Sequence, residues 1–395
     1  MSRIGKESVR FMKVKASGMA LVDKYCQDYG SRARELKGQG RKIIGGLCAY
    51  VPVEIITAAG FAPFRIKGSV NEPITRADVE METIVCPLVR SCFDLAVKGR
   101  YEFLDGLVIP HACDSICRTY DVWKYTLGLP YSHFVNMPHS DDDASLEFYK
   151  TVLNTFRKSL GKFAGQEISD KSLLQAIKQH NENRARVREL AGFRHSNPPL
   201  ISGKELARVL IAIMSIPVDE SISLLDDVIA EVKPRTSATE VKKPRIMVVG
   251  AQLDDDAFIR LIEDSGAWVV ADDLCPGTRE HWPDVDVTDD PIDGLAERYL
   301  RKIKCGRTYR EQKGTYPEYL GERFGHIGGF IRDFAVNGVI LYIYKYCDPF
   351  GFEVPAVKSY IESLGTPVLY LEDEYSMSTI GRLRTRVQAF LELLG

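Results

Sequence analysis

One pattern of strands and helices is written twice along this chain, and any fold it adopts must accommodate both copies. In the first copy 42–46, 62–66, 106–110 and 131–136 read as short apolar strands, with helices over 52–59, 82–97 and 115–126 between them. In the second copy 245–249, 266–270, 338–343 and 367–371 are the strands, and 255–264 and 292–302 read as helices. Two details repeat as well. Leu104-Asp105-Gly106-Leu107-Val108-Ile109 runs into Cys113-Asp114, and Val336-Asn337-Gly338-Val339-Ile340 runs into Cys347-Asp348. Leu127-Gly128-Leu129-Pro130 precedes the fourth strand of one copy, and Leu364-Gly365-Thr366-Pro367 that of the other. Alternation of this kind predicts an α/β fold: two doubly wound parallel-sheet domains related by duplication. Ligands of such sheets bind beyond the carboxyl ends of the strands, where both Cys-Asp pairs fall.

The remaining sequence is organised around these copies. Residues 1–36 read as a helical segment and 37–140 as the first α/β domain. Residues 141–232 form a helical segment with breaks at Gly165, Pro198 and Pro217, and 244–395 form the second α/β domain. Between them 233–243, polar and carrying Pro234, is a linker. At 395 residues each copy is long enough to bury its own core.

Charge narrows the function. Lys+Arg 52 against Asp+Glu 54, interspersed, gives a net charge of -2, which argues against a nucleic-acid binder. No apolar run approaches the roughly 20 residues that span a bilayer. Arg3, Lys6, Arg10, Lys13 and Lys15 are not followed by an apolar stretch, so they do not form a secretory signal, and a cytoplasmic location is expected.

In that setting nine cysteines are not a disulfide framework. Metal ligands, catalytic thiols and buried filler are the choices. Cys113 and Cys347, repeated at matching strand ends, read as ligands. Cys86 precedes Pro87 at a helix start, where thiol pKa is lowered. Cys92 follows six residues later, Cys117 makes a C-x3-C pair with Cys113, and Cys305 holds in the second copy the place of Cys86 in the first. Cys26, Cys48 and Cys275 read as core filler, the ordinary fate of a lone cysteine. Thiolates are the soft ligands of iron–sulfur clusters. Zinc competes, although the compact C-x2-C pairs of a zinc ribbon are missing.

On these residues the chain resembles the 2-hydroxyacyl-CoA dehydratase and benzoyl-CoA reductase superfamily. The resemblance runs almost end to end, through Tyr50-Val51-Pro52-Val53-Glu54-Ile55-Ile56, Cys86-Pro87, His111-Ala112-Cys113-Asp114-Ser115, Arg118-Thr119-Tyr120-Asp121-Val122-Trp123 and Lys345-Tyr346-Cys347-Asp348-Pro349. It implies two flavodoxin-like domains with one [4Fe-4S] cluster between them, held by Cys86, Cys113 and Cys347. It also implies electrons delivered by a separate ATP-hydrolysing iron–sulfur activator. The companions Cys92, Cys117 and Cys305 depart from that three-thiol pattern. Six thiols resemble the double-cubane branch, whose [8Fe-9S] cluster sits in a homodimer that reduces small molecules. Two further readings stay open: a [4Fe-4S] subunit of an acyl-CoA dehydratase or aryl-CoA reductase, and a non-enzymatic cluster or electron-storage protein.

The resemblance also puts Glu54 where dehydratase relatives carry an acid/base carboxylate. In a dry site such a group can have a raised pKa and move protons; equally, it can be a first-turn acid complementing a helix dipole. Arg90, His111 and Arg118 stand near the proposed ligands as tuning groups or as plain solvated charges. Gly325-His326-Ile327-Gly328-Gly329 reads as a flexible approach to an apolar helix. No phosphate-loop motif occurs, so ATP use belongs to a partner.

Overall fold

In the computed structural model, which describes residues 17–236 and 242–395, each copy closes as a four-stranded parallel sheet. Strands β1 (Ile43–Gly46), β2 (Ala62–Arg65), β3 (Gly106–Pro110) and β4 (Tyr131–Val135) pair in the order β2-β1-β3-β4. Strands β5 (Arg245–Gly250), β6 (Trp268–Asp273), β7 (Gly338–Tyr344) and β8 (Val368–Asp373) pair as β6-β5-β7-β8, the same order again. This is the flavodoxin-like, doubly wound arrangement, with a switch point between β1 and β3 and another between β5 and β7. The inner strands β3, β5 and β7 are buried along their whole length, which is why they read as nearly unbroken apolar runs.

The sequence repeats have a shared physical cause. Asp105, just before β3, accepts a hydrogen bond from the Ile43 N–H at 2.9 Å and returns its own N–H to the Ile43 carbonyl at 2.8 Å. Asn337, just before β7, makes the same two bonds with Arg245 at 2.9 and 2.8 Å. One short polar side chain therefore sets the register of the central strand pair in each half. Gly128 and Gly365 both take a left-handed φ, +56° and +77°, at the turn into β4 and β8, a conformation glycine adopts without steric cost.

Helices cover the sheets. Helices α1 (Gly18–Gln27) and α2 (Ser31–Gly38) lead into the first half, which carries α3 (Val53–Ala58), α4 (Pro87–Val97) and α5 (Asp114–Leu127). A block of α6 (Asp143–Ala164), α7 (Asp170–Gly192), α8 (Gly203–Ile213) and α9 (Val218–Val232) follows. Side-chain caps from Asp142, Ser169 and Ser202 start the first three of these. The second half carries α10 (Ala257–Asp264), α11 (Thr278–His281), α12 (Pro291–Glu297), α13 (Tyr316–Asp333), α14 (Asp348–Ser363) and α15 (Ile380–Leu394). One apolar core joins the halves: Ile43 and Leu107 from the first sheet share it with Ile246 and Ile340 from the second.

Three expectations are corrected. The helix expected over 82–97 begins only at Pro87, because proline at the first helical position fixes the start there. The stretch 325–329 lies inside α13 rather than ahead of a helix. Gly328 faces Tyr360 of α14, whose hydroxyl would stand 2.6 Å from an added Cβ, so the glycine permits close helix packing. The helix expected over 292–302 changes pitch at Arg298–Lys302, a single turn of π-helix. The basic residues from Arg3 to Lys15, and 237–241 of the linker, lie outside the described residues. Among the described residues no helix is long and apolar enough to cross a membrane.

Candidate functional site

Three helices begin on a cysteine. Cys86 is the N-cap of α4, Cys113 of α5 and Cys347 of α14. In each case the chain has left a loop or strand end and turns into a helix at the thiol. The backbone N–H groups of Leu88 and Val89, of Ile116 and of Phe350 favour the thiolates of Cys86, Cys113 and Cys347 respectively, although none completes a capping hydrogen bond. Burial outweighs them. It pushes the Cys86 thiol up to about 11 and Cys113 to about 12, and holds Cys347 well above its ordinary value. The three also raise one another: ionising Cys86 or Cys113 opposes ionising Cys347, and Cys86 opposes Cys113. Thiols of both halves thus lie close enough to influence one another.

Three more thiols belong to the same electrostatic group. Cys305 acts on Cys113, Cys48 and Cys275 alike. Cys48, just beyond β1, is 7% exposed and sits at φ +75°, a left-handed backbone that a non-glycine residue keeps only at a cost of about 1–3 kcal/mol. Cys275, just beyond β6, is equally buried and acts on Cys347. Burial raises Cys48 and Cys275 to about 12 each. The fully buried Arg279 donates to the Cys275 sulfur at 3.3 Å and pairs with Asp273 at 3.0 Å. Neither Cys48 nor Cys275 stands isolated from the other thiols: Cys305 acts on both, and Cys48 acts on Cys275 across the halves.

Two of the expected companions stand elsewhere. Cys117 lies one turn into α5, where only the charges of Arg118, Asp114 and Asp121 act on it, and none of the other thiols does. Cys92 is fully buried in the apolar core behind α4 and feels only Cys86 among the cysteines. Cys26 donates to the Arg208 carbonyl at 3.3 Å, and none of the other thiols acts on it. The proposed tuning groups have other partners too. Arg90 pairs with Asp78, His111 packs on His139 and Phe134, and Arg118 is exposed.

Glu54 does not have the raised pKa that a dry site suggested. Its side chain is completely buried, ion-paired to Arg184, and accepts a hydrogen bond from the Tyr299 hydroxyl at 2.8 Å. Desolvation would raise it, but Arg184, His180 and Arg298 together lower it to about 2. The carboxylate is a fixed anion that ties α3 to α7 and to the π-helical turn after α12.

All nine cysteines are free, and six of them, three from each half, are linked by mutual electrostatic influence. That donor set is soft sulfur alone, which suits iron–sulfur chemistry. Among the described residues no three His, Cys, Asp or Glu side chains gather tightly enough to chelate a single metal ion. Ligands of a multi-iron cluster bind different irons, so they line a cavity instead of meeting at a point.

Known proteins match this chain almost from end to end. The profile of the family described as 2-hydroxyglutaryl-CoA dehydratase, D-component, matches residues 48–394. The dehydratase-like protein YjiM of Escherichia coli (strain K12) is 29% identical over 373 residues, covering 91% of this chain and 93% of its own. One of the subunits of the benzoyl-CoA reductase of Thauera aromatica is 28% identical, covering 86% and 88%. The (R)-phenyllactyl-CoA dehydratase beta subunit of Clostridium sporogenes is 25% identical, covering 91% and 94%.

Proposed function

The chain belongs to the 2-hydroxyglutaryl-CoA dehydratase D-component family, and from that premise we propose that it is an iron–sulfur reductase with a double-cubane [8Fe-9S] cluster. Cys48, Cys86, Cys113, Cys275, Cys305 and Cys347 are its six ligands in this reading. Cys48 and Cys275 take the places first given to Cys92 and Cys117. What supports the reading is that six buried or half-buried thiols, three from each half, influence one another's ionisation.

When bound, the cluster supplies low-potential electrons to a small-molecule substrate. The protein's own part is electrostatic. Six thiolates in a dry cleft are costly, and Arg279 offsets part of that cost through its hydrogen bond to Cys275 and its charge on Cys305. Helix N-termini at Cys86, Cys113 and Cys347 add partial positive charge on the same side. Glu54, held ionised, braces the wall of the site and does not carry protons at neutral pH. The electron donor is an ATP-hydrolysing iron–sulfur activator, the protein works as a homodimer, and it acts in the cytoplasm.

Iron and sulfide analysis of anaerobically purified protein tests the reading. About eight irons per chain are expected; about four, the content of one cubane, would refute the double-cubane form. The names of the relatives favour a second reading, since the benzoyl-CoA reductase and phenyllactyl-CoA dehydratase chains are each named as one subunit of their enzymes. Obligatory co-purification with a related but different subunit, together with about four irons, would establish that one instead.

A further inference from the structure

A chamber of about 80 Å³ is walled by β1 and β2 on one side, α7 on another, and the short helix α11 of the second half. It is much larger than the roughly 10–15 Å³ that a single water needs. Its polar lining includes Arg65, His180, Arg184, Glu280 and His281, and Ile44, Val51 and Phe64 give it an apolar floor. The rim at Val53, Pro63 and Met214 is only half-buried, which gives the chamber a way in.

Two features of this chamber are unresolved within the chain itself. The first is unused hydrogen-bonding capacity. His281 is 6% exposed, yet neither ring nitrogen has a partner. Arg65, 8% exposed, leaves Nη1 unpaired while its Nη2 pairs with Glu280 at 2.8 Å. Buried donors without acceptors are rare in native proteins and cost free energy. The second is charge. The lining holds two guanidiniums, Arg65 and Arg184, against the single carboxylate of Glu280, because Glu54, the partner of Arg184, stands outside it. His180 and His281 are held neutral by burial.

We propose that this chamber binds a small organic monoanion through its carboxylate, with Arg65 and His281 supplying the missing polar contacts and a short apolar tail resting on Ile44, Val51 and Phe64. A single negative charge balances the positive lining. A carboxylate edge matches guanidinium donors, and His281 can donate to its oxygen. The chamber adjoins the thiols through Arg65, whose charge acts on both Cys48 and Cys275. The proposal does not depend on which cluster the cleft holds.

Titration calorimetry of the full-length protein with acetate, and with acetamide as the neutral isostere, is the test. Acetate is expected to bind one per chain and acetamide about tenfold or more weakly. His281→Leu removes two unpartnered nitrogens, breaks no side-chain hydrogen bond among the described residues, and should weaken acetate by a similar factor. No acetate binding, equal binding of acetamide, or unchanged affinity in folded His281→Leu would overturn the proposal and leave a water-filled chamber. Iron content measured on the same samples keeps the two readings apart, since losing the anion site leaves the iron in place.

Discussion

At the scale of single residues, the cleft makes sharply divided demands on nine chemically identical side chains. Cys113→Ser and Cys347→Ser should each lose most of the bound iron and its visible absorption. Cys48→Ser and Cys275→Ser should lose a substantial part of it. Cys26→Ser and Cys117→Ser should match the parent, and iron loss in Cys117→Ser equal to that in Cys48→Ser would restore the ligand set first read from spacing. Glu54 makes a different demand. Glu54→Gln leaves Arg184 buried without its anion, and breaking a buried pair from one side costs about 3–5 kcal/mol. Urea unfolding should show that loss, whereas a variant of unchanged stability that lacks activity would return Glu54 to an acid/base role. The sequence marks Cys86, Cys113 and Cys347 because each also starts a helix, a signal local to its own segment. Cys48 and Cys275 start no helix and so carry no such signal; what groups them is tertiary contact with residues distant in sequence, Cys305 above all.

At the scale of elements, the duplication is best understood as two copies of one hydrogen-bonding device. Asp105 and Asn337 each tie the central strand of a sheet to its neighbour through the same pair of bonds. Asp105→Ala and Asn337→Ala should therefore cost similar amounts, about 1–2 kcal/mol each, in urea unfolding. A large cost at one position and none at the other would show that the repeat is a coincidence of sequence. Strands were legible because the buried ones are apolar along their length, and because Gly128 and Gly365 punctuate the turns. The glycines of 325–329 misled for the opposite reason. Glycine weakens a helix by about 1 kcal/mol, but packing overrides propensity where α13 must approach Tyr360 closely.

At the scale of the whole molecule, buried titratable groups on the walls make stability depend on pH. His180 and His281 are lowered to about 4 by burial. Their unfolded value lies near 6.5, so the unfolded chain binds more protons between those limits, and stability falls as pH drops from about 6.5 to 4. Asp255 runs the other way: burial and Asp254 raise it to about 7, so its native form takes up a proton first and acidification relieves strain there. Asp255→Asn should therefore raise stability at about pH 8 and steepen the loss below about 6.5. A urea midpoint that changes equally at both pH values would contradict that assignment. The fold itself was readable from periodicity, but the meeting of the two halves was expected only through the family resemblance, since no local pattern encodes which strand ends will face each other. That meeting is the centre of the account. An anomalous iron map of crystals grown without oxygen tests it most directly. Iron density bounded by Cys113 on one side and Cys347 on the other, with Cys48 and Cys275 also in contact, is the predicted result. Iron confined to the cysteines of one half, or absent from the space between the sheets, would contradict it.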